Sequence, residues 1–181
     1  MPERTVKNMS GLYSKIAKQS AEYYAKTGEY LALSIQLPQE LLRQKACYVV
    51  IGEEPGHHIR SIYGSPLPNT PNLAQEIIRN TVNAIIQQGV QIRPADAARY
   101  TYTVGVLGFM ERITSREHLM PLVYGLYIRS DMNKSAVLLP RRVGIETPDE
   151  QIATAIREAR IDPHHEVVTM YRFPVMFYGG Q

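Results

Sequence analysis

Between Ser10 and Thr27, "SGLYSKIAKQSAEYYAKT", apolar residues fall at Leu12, Ile16, Ala17, Tyr23 and Tyr24 among helix-tolerant polar ones. The spacing predicts an amphipathic helix, with Gly28 as its C-terminal stop. "QLPQELLRQK" (36–45) holds a proline and one helical-looking turn, and reads as a connector. In "ACYVVIGEEPGHHIRSIYG" two β-branched and aromatic runs flank "GEEPG", whose proline and glycines are turn chemistry, so a β-hairpin is predicted. After "SPLPNTP" the pattern returns to a helical period. Leu73, Ile77, Ile78, Val82, Ile85 and Ile86 share one face, and Gly89 closes the run. "RYTYTVGVLGFMERI" (99–113) reads as one strand.

The second half repeats this order. "LVYGLYIRS" and "SAVLLPRRV" flank the polar turn "DMNK", "TPDEQIATAIREARI" is a helix, and "HEVVTMYRFPVMFY" is a strand that Pro174 bends or ends. Thr70-Pro71 and Thr147-Pro148 each place a capping hydroxyl before a proline at the first helical position, and Glu150 completes a capping box with Thr147. The expectation is an α+β fold built from a duplicated strand-strand-helix-strand unit, with a mostly antiparallel sheet flanked by helices. Residues 1–181 then form one domain with two sub-lobes, about 10–113 and 114–181. Element order and caps carry the duplication, because identity between the halves is low.

Composition narrows the functional classes. At 44% hydrophobic and 20% charged residues the chain resembles ordinary globular proteins and can fold without metal or disulfide staples. Its net charge of +3 is spread among acids, which permits nucleic-acid binding without arguing for it. The single cysteine, Cys47, excludes an intramolecular disulfide and fits a reducing interior. "MPERTVKNMS" lacks a signal-peptide core, and no apolar run approaches the roughly 18 residues of a membrane span, so a cytoplasmic protein away from the membrane is expected.

Several strings resemble the AMMECR-one family, named for the AMME-syndrome chromosomal region. "VYGLYIRSDMNKSAVLLPRRV" is similar to that family's strand-turn-strand with Gly-x-x-Ile and Leu-Leu-Pro, and "YRFPVMFY" to its closing strand. "HHIRSIYGSPLP" stands where the family carries Leu-Arg-Gly-Cys-Ile-Gly. Ile59 and Arg60 match Leu-Arg, Ser61 replaces the glycine, Ile62 the cysteine and Tyr63 the isoleucine, and Gly64 is kept. The likeness runs from about Leu12 to Tyr178. The cysteine suspected as the family's reactive group is absent, as is the tryptophan common after Leu-Leu-Pro, which marks a divergent member. The resemblance implies an intracellular protein of undetermined biochemistry, with Memo-like and radical-SAM proteins as partners in a modification pathway and RNA or an anionic metabolite as ligand.

Candidate chemistry concentrates on the motif strand. Alternation puts Ile59, Ser61 and Tyr63 on one face and His58, Arg60 and Ile62 on the other. His57 and His58 are therefore poorly placed to share a metal, and neither metal nor cofactor is expected. Arg60 can present its fork to a phosphate or carboxylate near the amides after Gly64, with His58 and Arg141 as further ligand-binding candidates; the alternative is an ion pair with Glu53 or Glu54. A hairpin turning near Glu54-Pro55 sets Cys47 opposite Ile62 or Tyr63, where it would act as a displaced nucleophile lowered in pKa by Arg60; otherwise it is an inert core thiol. Ser61 and Tyr63 are the other catalytic candidates, though no histidine is placed to activate Ser61. His164, His165, Asp162 and Glu166 read as acid-base material or a solvated loop. Arg141 and Arg142 could extend a basic surface with Arg60, Arg129 and Lys134, while Asp131 and Glu146 argue for ordinary surface. Asn80 and Asn83 face either the motif strand or solvent. Two functions stay open: a binding or substrate-presenting component with an anion-binding cleft at Ile59–Gly64, or an enzyme using Cys47 or Ser61 near Arg60.

Overall fold

The computed structural model describes residues 3–33, 36–54, 58–87, 89, 92, 93 and 99–179, with residues 3–10 as backbone only. It is an α+β structure dividing into two compact units, Met1–Val106 with Phe177–Gln181, and Leu107–Met176.

In the first unit, α1 (Glu3–Thr27) begins well before Ser10 and ends as expected. Gly28 takes φ +73 and its N–H donates to the Tyr24 carbonyl, a conformation other residues adopt at a cost. The connector holds the short α2 (Gln39–Leu42), and the hairpin is β1 (Cys47–Glu53) and β2 (His58–Gly64). Its tip, Pro55 to His57, lies outside the described residues. Next come α3 (Leu73–Gln87) and β3 (Tyr100–Leu107). The strands run antiparallel in the order β2-β1-β3. Period-two alternation aims Cys47, Val49 and Ile51 of β1, with Tyr102, Val104 and Val106 of β3, into one core against Ile16, Ala17 and Ala21 of α1 and Leu73, Ile77 and Ile78 of α3. Each aliphatic side chain buried there stabilises by about 1.5–3 kcal/mol.

The second unit holds β4 (Glu111–Ile113), a 3-10 turn at Arg116–His118, β5 (Tyr124–Ser130), β6 (Ser135–Leu138), α4 (Pro148–Ala159) and most of β7 (Val168–Tyr178). Its strands lie in the order β4-β7-β5-β6, all antiparallel. Leu126, Ile128, Leu138, Ile113 and Ile145 pack under Ala155 and Ala159 of α4.

Three expectations need correction. The strand predicted over 99–113 is two, interrupted at 108–110, where the Gly108 N–H turns to the Pro174 carbonyl. Pro174 does not end β7, which runs on to Tyr178, with Pro174 paired opposite Tyr124. Thr147 caps α4 with the full capping box, but Thr70 does not cap α3. There Asn72 Oδ1 accepts the Gln75 N–H at 2.9 Å, and the Thr70 hydroxyl points to the Asn72 carbonyl and to Glu76. The matching entrances that suggested a copied unit are thus chemically different. Both units do share the order strand-strand-helix-strand with the first strand central, a likeness of topology that does not establish duplication.

Candidate functional site

The motif strand is the free edge of the first unit's sheet among the described residues. Pairs run Tyr48↔Gly64, Val49↔Tyr63, Val50↔Ile62 and Ile51↔Ser61, then slip to Gly52↔Ile59 and Glu53↔His58. Arg60 is the extra residue, a β-bulge, which re-aims a side chain at a sheet edge. The slip moves Ile59 out of phase with Ser61 and Tyr63, and it is largely exposed, as is Ile62, while Ser61 is buried. Three residues predicted to share a face are therefore two.

The bulge directs Arg60 at Glu53. Its Nε donates to Glu53 Oε2 at 2.5 Å and its Nη2 reaches the same oxygen. Arg99 Nη2 stands 3.5 Å from Oε1 of the same carboxylate. Register brings Arg99 there, since Glu53 pairs with Tyr100 and the Glu54 N–H donates to the Arg99 carbonyl. Both arginine side chains are more than half exposed, at 55% and 62%, against 19% for Glu53. Two guanidiniums on one carboxylate leave several N–H donors beyond those Glu53 accepts, with exposed His58 adjacent and Glu54 next along the chain. Arg99 escaped sequence reasoning because only strand pairing makes it Glu53's neighbour.

Cys47 corrects two expectations. It lies one position beyond Tyr48, whose partner is Gly64, so it faces neither Ile62 nor Tyr63. The bulge carrying Arg60 is four to five residues along the strand, about 15 Å away. The thiol is fully buried, and burial pushes it up to about 12, opposite to the direction a nucleophile requires; an Asn80 hydrogen bond works against this and nearby Glu76 adds to it. Ser61 is also buried, and its hydroxyl donates to the Ala84 carbonyl at 2.7 Å. Tyr63 packs on the core.

Behind Gly64 lies a buried polar chain that periodicity did not reveal. Asn80 faces neither solvent nor an open cleft: its Nδ2 donates to the Cys47 carbonyl at 2.9 Å and to Glu76 Oε1 at 3.3 Å. Glu76, fully buried, also accepts from the Asn69 N–H and the Thr70 hydroxyl, fastening the loop after the motif strand to α3. A Cβ on Gly64 would come within 2.5 Å of the Cys47 carbonyl and the Tyr48 ring, so any other residue at this strand end forces a neighbour to shift.

The remaining candidates lie in the second unit. Arg141 takes φ 60 and its Nε donates to the Leu122 carbonyl. Arg142 pairs with Glu158 and Lys134 with Glu166, so the basic surface is interrupted by carboxylates. His165 Nδ1 sits 2.7 Å from Asp162, in an exposed loop, and this contact with the His164 N–H lowers the Asp162 carboxyl. Glu166 is nearly buried and accepts from the Asp162 N–H and Lys134, which push its carboxyl down to about 2. It ties two loops and is not poised for proton transfer. Among the described residues no group of three or more His, Cys, Asp or Glu is placed to hold a metal, and no helix is long and apolar enough to cross a membrane.

A family model described as AMMECR1 matches residues 14–178. A Thermotoga maritima protein is 29% identical over 168 residues, 92% of this chain and 96% of its own length. Protein CA_C1420 of Clostridium acetobutylicum is 30% identical over 165 residues, 90% of this chain, which spans only 35% of that longer protein. Among solved structures, the uncharacterized protein PH0010 from Pyrococcus horikoshii superposes with a TM-score of 0.80 at 20% identity, covering 92% of this chain and 88% of that one, a likeness of fold.

Proposed function

The chain belongs to the AMMECR1 family, and from that premise and the geometry of its motif strand we propose that it is a binding or substrate-presenting component of a modification pathway. Its ligand site is the arginine-bearing end of the β1–β2 hairpin, where Arg60 and Arg99 receive an anionic group. The observation that carries this reading is the contrast within the first unit's sheet. Outward-facing guanidiniums share a single carboxylate, while Cys47 and Ser61, the groups an enzymatic reading needs, are buried, the one protonated and the other bonded to backbone. Arginine forks suit phosphate and carboxylate oxygens, and their spare donors need not displace Glu53.

The test is a thermal-shift screen of RNA, nucleotides and phosphorylated metabolites on the wild type, Arg60→Ala and Arg99→Ala. A ligand at a hundredfold excess over its Kd stabilises by about 2.7 kcal/mol, which for a chain of this size raises Tm by roughly 5–10 °C. The shift should vanish in Arg60→Ala and shrink in Arg99→Ala. A ligand that shifts wild type and both variants equally, or a screen in which nothing shifts a folded wild type, refutes the site. Memo-like and radical-SAM proteins are the first partners to try in co-purification.

A further inference from the structure

The face of the second unit's sheet turned away from α4 carries side chains that neither the core nor the sites above use. Strand register sets Arg112, Tyr171, Tyr127 and Val137 side by side on β4, β7, β5 and β6. Their neighbours Ile113, Leu126, Ile128 and Leu138 point to the core under α4, so alternation puts this row on the opposite face. Tyr127 and Tyr171, both only partly buried, stack with centroids 5.8 Å apart and planes 28° from parallel. Arg129 stands in the adjacent row, paired across strands with Thr169 and Ser135.

Charge completes the arrangement. Arg112 and Arg129 are exposed, and among the described residues neither meets a carboxylate; Arg129 Nη2 bonds the neutral Asn133 Oδ1 at 2.9 Å. Elsewhere in this unit Arg116, Arg142, Arg172 and Lys134 are each matched with an acid, while Arg141 bonds a backbone carbonyl and Arg157 a hydroxyl. A cross-strand tyrosine pair by itself is a common sheet stabiliser. A stacked pair beside two unmatched guanidiniums, on a face that is partly exposed here and closes at the buried Phe173, offers two complementary things at once: aromatic rings on which a base can continue the stack, and forks for the phosphates on either side.

We propose that this face binds single-stranded nucleic acid, with bases stacked on Tyr127 and Tyr171 and phosphates held by Arg112 and Arg129. The occupant is single-stranded because a duplex hides its base faces, and it is a polynucleotide rather than an acidic peptide because a peptide would use the arginines and leave the rings idle. The site is in the other unit from Arg60 and does not depend on it.

The experiment is fluorescence anisotropy on the full chain with labelled single strands of about 12 nucleotides, RNA and DNA. Two phosphate contacts predict a roughly sevenfold loss of affinity between about 50 and 200 mM salt. Tyr127→Leu and Tyr171→Leu should each weaken binding roughly tenfold. Arg112→Ala should weaken it and flatten the salt dependence by about 0.7 in slope. Binding of either strand type with these dependences supports the proposal. It is overturned if no strand binds at the lower salt, if the tyrosine variants bind as the wild type does, or if a duplex of equal length or polyglutamate competes as well as the single strand. Because Arg112 is exposed and meets no carboxylate among the described residues, its variant keeps the fold and decides the matter should a tyrosine variant unfold.

Discussion

Alkylation of Cys47 in the folded protein separates a binding component from an enzyme with a displaced nucleophile. The native thiol is pushed up to about 12 from an ordinary 9.0. At about pH 8 its thiolate fraction is then about one in ten thousand instead of about one in ten, a roughly thousandfold penalty on any reaction within the fold. The other route is through opening. With no exposed surface on Cys47, the reagent must wait for β1 to leave the core shared with α3, and an opening free energy of about 5 kcal/mol or more populates that state less than about once in several thousand. Whichever route is faster, native labelling should be at least several-hundredfold slower than labelling in denaturant. Time courses with iodoacetamide at one pH, read by intact mass with and without denaturant, measure the ratio. A native rate within tenfold of the denatured rate would refute the reasoning and restore Cys47 as a reactive group. The same shift carries a sign for stability. The unfolded chain loses this proton first, so the contribution of Cys47 is present below about pH 9 and is lost as pH rises toward about 12.

Gly64→Ala should destabilise by about 1–3 kcal/mol, because the added carbon meets the Cys47 carbonyl and the Tyr48 ring at 2.5 Å and a backbone carbonyl within a ladder cannot step aside; denaturant titration reads it, and an unchanged midpoint would count against the register. Glu166 behaves oppositely to Cys47: its folded value near 2 lies below the ordinary 4.5, so its stabilisation is full above about pH 4.5 and fades as pH falls toward 2. Glu166→Gln should therefore lower Tm at neutral pH, with the gap to wild type closing in strong acid; a gap that stays constant across that range would show that the carboxylate's charge is not what holds the loops.

What the sequence determined by itself is whatever depends on neighbours within a few positions. Ile77, Ile78, Val82 and Ile85 announce α3, Thr147 and Glu150 announce the start of α4, and the β-branched run around Val49 and Ile51 announces β1, because periodicity, composition and caps are local properties of the chain. The Arg60–Glu53 ion pair is one of the two readings the motif strand allows from sequence. Tertiary structure alone decided the rest. The bulge that inserts Arg60, and with it the exposure of Ile59 and the distance of Cys47, follows from how two strands close their register, which a one-residue slip reverses. Arg99 joins Glu53, and Tyr171 joins Tyr127, only through pairing between segments dozens of residues apart. Glu76 and Asn80, polar residues on a buried helix face, violate the pattern that a periodicity reading relies on. A loop N–H and a hydroxyl bond the Glu76 carboxylate and the Cys47 carbonyl accepts from Asn80 Nδ2, partners no local window contains, while Asn80 Oδ1 stays buried without one among the described residues.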